Sequence, residues 1–188
     1  MIKKFKNKLI GKRITLKRNL PTIKNATIIF DVVNSDRKHL KPWFPWEKNT
    51  KTIEDSFKYL LDTDERTKKG EKIDYGIFLN DEYIGNVGVF DISKEKKSAE
   101  IGYWLSSKFT RNGYMTEAVK ILEKEFFENF KLNRIQIKCN DLNKASAGVA
   151  KKCGYKLEGK IREDAYDEYR KKFSNTLIFS KLKTEYFK

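Results

Sequence analysis

The chain has one histidine, two cysteines and three prolines among 188 residues. The lone His39 excludes a site built on several histidine ligands. Any Ser-His-Asp or Cys-His scheme would have to use it, and in RKHLKPW it has no nucleophile beside it. Cys139 and Cys153 lack metal-ligand spacing and lie in apolar-patterned segments, so they read as buried free thiols. No metal centre is expected. No apolar run approaches the roughly 18–20 residues of a membrane span. The basic start MIKKFKNKLIGK is not followed by the apolar stretch of about 7–15 residues that marks a secretory signal. A cytoplasmic protein without a membrane partner is therefore expected. With no repeat, low-complexity tract or Pro/Gly/Ser linker, the chain reads as a single domain, 1–188.

What is present is charge. The formal net charge is +15, from 33 lysines and 8 arginines against 26 acidic residues. Such an excess fits nucleic acid, ribosome, anionic lipid or a polyanionic cofactor, and it equally fits a solvated surface. Arginine is the better tool for reading phosphates and bases, yet lysine dominates and is spread along the whole chain.

Hydrophobic periodicity gives the element order. A strand is expected at 9–17 and a helical region at about 23–40, interrupted by KPWFPW at Pro42 and Pro45. Thr52 with Asp55 resembles a capping box opening a helix with Ile53, Phe57, Leu60 and Leu61 on one face and Gly70 beyond its end. Three strands follow, at 73–79, 83–92 and 99–105, joined by short polar turns as an antiparallel meander. Met115, Ala118, Val119, Leu122, Phe126 and Phe130 then mark a helix over 115–130. A strand at 134–139, a short helix from Asn143 and two strands, YKLEGKIRE and KFSNTLIFSKL, complete the chain. The fold class is α+β, a mixed sheet flanked by helices.

RNGYMTEA, residues 111–118, raises the functional question. Gly113 opens the 115–130 helix, whose first amides have no partner within the helix. This is either a plain helix start or a seat for phosphate, since glycine lets the backbone approach closely and the dipole favours an anion. Arg111 and Lys108 could add charge. Downstream, Asn143 can cap the next helix with Ser146 in its first turn and Gly154 just past its end, and capping alone accounts for that pattern.

Several stretches in order, HLKPWFPW, IGNVGV, AEIGYWL, NGYMTEAV, LNRIQIKCNDLNKAS, KCGYKLEG and LIFSKLKTE, carry a family likeness over about residues 10–186. The chain resembles the GNAT acetyltransferase superfamily, and within it the ribosomal-protein serine/alanine N-terminal acetyltransferase group. The resemblance implies a GNAT-like, mostly antiparallel sheet of about seven strands and four helices, splayed at its middle. It implies acetyl-CoA as donor and an amine as acceptor. The family's phosphate loop, Gln/Arg-x-x-Gly-x-Gly/Ala, reads here Thr110-Arg111-Asn112-Gly113-Tyr114-Met115, so the central glycine is kept while the first and last residues differ. The implied cofactor contacts are Trp104, Leu105, Arg111, Asn112, Gly113, Tyr114, Met115, Thr116, Asn143 and Ser146.

The reaction implied is direct attack of a neutral amine on the thioester in a ternary complex. Ser146 is expected to protonate the leaving thiolate, with Tyr103 and Tyr155 as alternatives. Glu100 is the candidate base, since AEIGYW puts it on one strand face with Gly102 and Trp104; the competing reading is a carboxylate paired with a lysine. Trp43, Phe44, Trp46 and Tyr103 are expected at the acceptor, although KPWFPW also suits core packing and a helix stop. Two positions depart from the group: Ala165 stands where an acidic residue is usual, amid EDAYDE, and Asn175 replaces an aspartate. The acceptor is expected to be the N-terminal α-amine of a protein such as a ribosomal protein, with contact to the ribosome. The alternatives are a small amine (a polyamine, an aminoacyl antimicrobial or an aminoglycoside) or a non-catalytic RNA- or ribosome-binding module. The last lacks the aromatic strand motif of an RNA reader in RIQIKCN. Either a monomer or a homodimer fits.

Overall fold

The computed structural model describes residues 5–188; the first four residues of the basic start lie outside it. The strands are β1 (Lys8–Ile10), β2 (Thr15–Arg18), β3 (Ile73–Leu79), β4 (Glu82–Ser93), β5 (Ser98–Leu105), β6 (Arg134–Asn140), β7 (Lys156–Asp167) and β8 (Lys172–Leu182). The helices are α1 (Ile23–Ser35), α2 (Arg37–Leu40), α3 (Ile53–Lys69), α4 (Tyr114–Lys124), α5 (Lys144–Lys152) and α6 (Lys183–Tyr186). One sheet runs β1-β2-β3-β4-β5-β6-β8-β7. Its neighbours are antiparallel except β5 and β6, which are parallel.

The strand expected at 9–17 is a hairpin, which raises the strand number to eight. Gly11 N–H donates to the Ile14 carbonyl at 2.9 Å and turns the chain. A side chain at Gly11 would meet Ile121 of α4 at 2.6 Å, so glycine lets this turn pack directly on the helix. The helical region 23–40 breaks at Asp36 into α1 and α2, and one-turn α6 follows β8, giving six α-helices among the described residues rather than four. The capping box of Thr52 and Asp55 opens α3, and Gly70, at φ 77°, closes it. The helix expected over 115–130 ends in a π-helical turn, Glu125–Asn129, which turns both Phe126 and Phe127 into the core.

Strand alternation divides the core in two. Ile73, Tyr75 and Ile77 of β3 and Ala99 and Ile101 of β5 pack with Met115, Val119 and Leu122 of α4. On the other face Tyr83 and Trp104 pack with Ala26, Ile29 and Val33 of α1 and Leu60 of α3. Each Ile, Val, Leu or Met among them contributes about 1.5–3 kcal/mol when buried. The outer hairpin β7–β8 runs past the expected end at 163, with register shifts between Ile161 and Ala165. Its turn folds back on the first half of the chain: Arg170 donates to the Pro42 carbonyl at 3.1 Å and lies 4.6 Å over the Trp43 ring.

An ion pair ties β6 to β7 across β8. Arg134 grips Glu158 with two contacts, 2.6 and 2.5 Å, and the Ser180 hydroxyl donates to the same carboxylate at 2.6 Å. These hydrogen bonds, Arg134 first, hold the Glu158 carboxyl down at about 2. A depressed folded-state pKa means the contribution is present above the ordinary glutamate value, about 4.3, and is lost as pH falls toward 2. Glu158→Gln is expected to cost about 1 kcal/mol or less at pH 7, because the pair is partly solvated. The variant should also lose less stability than the parent between pH 4.5 and 2, read by urea unfolding at several pH values.

Candidate active site

The site follows from how β5 and β6 part. They pair only over Ser98↔Arg134, Ala99↔Ile135 and Glu100↔Gln136, although β5 continues to Leu105 and β6 to Asn140. Beyond Glu100 a gap opens between two strands whose outer edges stay paired with β4 and β8. Where the strands part, Glu100 Oε2 accepts from Gln136 Nε2 at 3.0 Å and lies 3.0 Å from Lys138 Nζ. The carboxylate expected as a base is thus engaged in stitching the two strands together.

Farther along the gap, Tyr103 of β5 meets α5. Its hydroxyl donates to the Ser146 carbonyl at 3.1 Å and accepts from the Ser146 hydroxyl at 3.2 Å. Burial, opposed in part by the Ser146 bond, holds the Tyr103 phenol above its usual pKa, so it stays protonated. Asn143 caps α5, accepting from Ser146 N–H at 3.0 Å, which fixes the serine in place. Cys139 of β6 lies near Ser146, and burial raises its thiol pKa; burial pushes Cys153 up to about 12. Both read as inert thiols at rest. Tyr155 is buried beside Glu123, close enough to Tyr103 to feel its charge, and burial first holds its phenol well above its usual pKa.

At the mouth of the gap the loop after β5 forms an amide cradle. Arg111 and Gly113 are both left-handed, at φ 66° and 79°, on either side of Asn112. Alternation of this kind turns successive N–H groups into one concavity. Asn112 Nδ2 donates to the Thr110 carbonyl at 3.1 Å and holds the loop. Helices α1, α3 and α5 have side-chain caps, whereas α4 has none. The first-turn amides of Tyr114, Met115 and Thr116 therefore remain open to an anion. Arg13, from the β1–β2 turn, donates to the Asn112 carbonyl at 2.9 Å, pairs with Glu117 at 2.8 Å and lies 4.8 Å over the Tyr114 ring. Sequence reasoning missed Arg13; its partners are about a hundred residues away, and only its place beside the Gly11 turn hinted at a role.

On the other face of the sheet a cleft of about 390 Å³ is walled by Phe44, Trp46, Tyr83 and Trp104 and bordered by Gly102 and Tyr103 of β5. The rings form a run: Phe44 to Trp46 5.4 Å, Trp46 to Trp104 6.2 Å, Trp104 to Tyr83 6.0 Å. Of the expected acceptor residues, Phe44 and Trp46 line the cleft, while Trp43 is turned to Arg170. Trp104, expected at the cofactor, places its indole in the cleft. Tyr103, expected at the acceptor, turns its phenol the other way, to Ser146. Met115 is buried in the core, so its contribution to the cradle is its amide. In EDAYDE, Asp167 pairs with Arg170 at 2.6 Å and Glu168 with Lys171 at 3.3 Å. Asn175 bonds Asp141 and the Glu163 amide.

The chain that builds this splayed sheet, with a capless helix at the gap and a polar pair across it, matches a family model. The description "Acetyltransferase (GNAT) domain" fits residues 13–156. The chain belongs to the GNAT acetyltransferase family. The ribosomal-protein-serine acetyltransferase of Escherichia coli (strain K12) is 28% identical over 145 residues, 74% of this chain and 81% of the relative. Among solved structures, the ribosomal L7/L12 alpha-N-protein acetyltransferase RimL, bound to coenzyme A as a disulfide, superposes with a TM-score of 0.86. That match is 21% identical, covers 92% of this chain and 96% of the other, and speaks for the fold. The microcin C7 self immunity acetyltransferase MccE, in complex with acetyl-CoA and AMP, is 25% identical with a TM-score of 0.84, over 92% and 93% of the two chains. The protein is an acetyl-CoA-dependent N-acetyltransferase of the GNAT type. Among the described residues no helix is long and apolar enough to cross a membrane.

The cradle has a direct test. A side chain at position 113 would meet only the Arg13 guanidinium, at 3.4 Å, so substitution acts through backbone strain at φ 79°. Gly113→Val is expected to weaken coenzyme A binding about 5–30-fold, corresponding to about 1–2 kcal/mol of strain. Titration calorimetry reads it, and unchanged affinity would remove the cradle from the binding site.

Proposed function

We propose that the enzyme acetylates the α-amine at the N-terminus of a protein, a ribosomal protein first among the candidates. One observation carries this reading. The aromatic cleft and the β5–β6 gap meet at β5, around Gly102–Trp104, and among the described residues the only charged side chains lining the cleft, Lys72 and Asp74, pair with each other. An acceptor entering there reaches the thioester as a neutral amine, with no free carboxylate to hold a polycation. An α-amine has a pKa of about 7.7–8.0, against about 10.4 for a lysine-type amine, so it needs little help to lose its proton. The activities for which the E. coli relative and RimL are named support a protein N-terminus. MccE, holding AMP beside acetyl-CoA, supports a second reading, a small aminoacyl compound whose ring stacks on Trp46 or Trp104. Polyamines and aminoglycosides fit poorly beside a chain of net charge +15.

Acetyl-CoA supplies the activated acyl group. Amides of residues 111–116, with Arg111 nearby, hold its diphosphate, and the open edge of β5 at Trp104 and Leu105 takes its arm. Main-chain N–H groups of β5 polarise the carbonyl where charge develops. Glu100, engaged by Gln136 and Lys138, leaves removal of the amine proton to water in the cleft. Ser146 passes its hydroxyl proton to the leaving sulfur and regains one, through water, from the nitrogen that becomes the amide, while Tyr103, bonded to both the hydroxyl and the carbonyl of Ser146, holds it in place.

Ser146→Ala and Tyr103→Phe are expected to lower kcat by about 10–100-fold, the low end for general acids because a thiolate is a good leaving group. Acetyl-CoA affinity should barely change. Full turnover in both variants would end the donor assignment. With N-terminal peptides, kcat/KM should rise tenfold per pH unit below about 7.7–8.0 and level off above, following the free amine. Release of CoA with spermidine in preference to every peptide would overturn the α-amine reading.

A further inference from the structure

One end of the acceptor cleft holds buried polar side chains that the acetyl transfer does not require. Lys72, just before β3, and Asp74 of β3 are 6% and 1% exposed, and their charged groups lie 3.1 Å apart. Lys72 Nζ also donates to the Tyr59 hydroxyl at 3.1 Å and to Thr63 at 3.2 Å, so its three protons are all used. Tyr59 in turn donates to Asp74 Oδ2. Burial first, then the Asp74 charge, hold the Tyr59 phenol well above its usual pKa. The other carboxylate oxygen, Oδ1, receives only a long contact from Asn86 Nδ2, at 3.4 Å. Gly88 makes room for it, since a side chain there would lie 1.9 Å from Oδ1. Asp74 pairs with Gly88, and Gly88 with Gly102, so the carboxylate leans over β4 toward the β5 segment that borders the gap.

Two further polar atoms at this end are poorly satisfied. The hydroxyls of Ser56 on α3 and Tyr83 on β4, residues 3% and 5% exposed, make no hydrogen bond of good geometry, the Tyr83 hydroxyl having only the Asn19 side chain close to it, and both residues line the cleft. Asn19, beside Tyr83, gives its amide to Asn86 instead, at 2.6 Å. Buried hydroxyls without partners destabilise a fold, and native proteins keep few of them. Resting on the α-amine reading above, we propose that Ser56, Tyr83 and Asp74 Oδ1 form a specificity subsite. It reads a neutral hydrogen-bonding side chain, hydroxyl or carboxamide, on the acceptor residue whose amine is acetylated. The group is neutral because Lys72 already cancels Asp74, and a charged side chain would lose its water without finding a counter-ion. It must hydrogen-bond because an apolar side chain would leave both hydroxyls dry and unpaired. Sites of this kind reject an acceptor lacking the polar group far more strongly than apolar pockets sort by size.

The test uses the full chain, acetyl-CoA and tripeptides that differ only in their first residue, Thr against its isostere Val, with Asp and Lys as charged controls. Wild type is expected to prefer Thr over Val by about tenfold or more in kcat/KM, and to disfavour both charged peptides. Ser56→Ala and Tyr83→Phe should each shrink the Thr/Val ratio severalfold. That ratio is internal to one preparation, so partial misfolding cancels from it. The Tm of the free variants should not fall, because each change removes an unpaired hydroxyl; a merely structural role would lower Tm and leave the ratio alone. A wild-type ratio near one, or a ratio unchanged in both variants, overturns the subsite while peptide turnover continues. If no peptide is acetylated although acetyl-CoA still raises Tm, the α-amine reading itself has failed, and the subsite falls with it.

Discussion

Everything in this enzyme depends on a parallel pairing that stops early. β5 and β6 are the sheet's only parallel neighbours among the described residues, and they stay together for three residue pairs. Parallel neighbours require a crossover connection. The crossover here is the loop at 106–113 and α4, so the amide cradle and the gap come from one topological event. A ligand at the carboxyl ends of diverging strands then meets a helix N-terminus with no further construction. Glu100, Gln136 and Lys138 sit where the strands part and close the gap at its base. Tyr103 and Ser146 bridge it higher up.

The second constraint is strand alternation along β5. Consecutive residues of a strand face opposite ways, so Tyr103 and Trp104 cannot serve the same side. Tyr103 goes to Ser146 and Trp104 to the aromatic cleft. On the reading proposed above, donor and acceptor meet at the main chain between them. The same alternation puts Asp74 and Asn86 on the cleft side of their strands, where two glycines, Gly88 and Gly102, leave room on the sheet surface for the Asp74 carboxylate and the Phe90 ring.

The local parts of this arrangement were legible in the sequence. The Thr52 capping box, the Asn143 cap and the glycine opening α4 are written within a few residues of where they act. The parts that depend on partners far along the chain were not. Glu100 has the same strand pattern whether it is a free base or a bridge to Lys138, and only the parallel pairing decides. Arg13 belongs to a turn that reads as ordinary until Asn112 and Glu117 are seen against it. KPWFPW announces a loop rich in aromatics, but the split of Trp43 to Arg170 and Trp46 to the cleft is set by the β7–β8 turn. The division of 9–17 into a hairpin turned on Gly11, whose importance lies in its contact with α4.

Charge acts here on two scales with opposite demands. The net charge of +15 is distributed, mostly on lysine, and works at a distance. At about 0.1 M salt its reach is roughly 10 Å, enough to gather a polyanionic acyl carrier and to discourage polycations near the surface. Such a field cannot sort one amine from another, because it is blind to shape and screened by solvent. Sorting needs desolvated groups at fixed positions, and there the protein cancels its own charge: Lys72 against Asp74 beside the cleft, Lys138 against Glu100 where β5 and β6 part. On the proposed reading, a donor drawn in by charge and an acceptor admitted without it occupy adjoining sites, one on each face of β5.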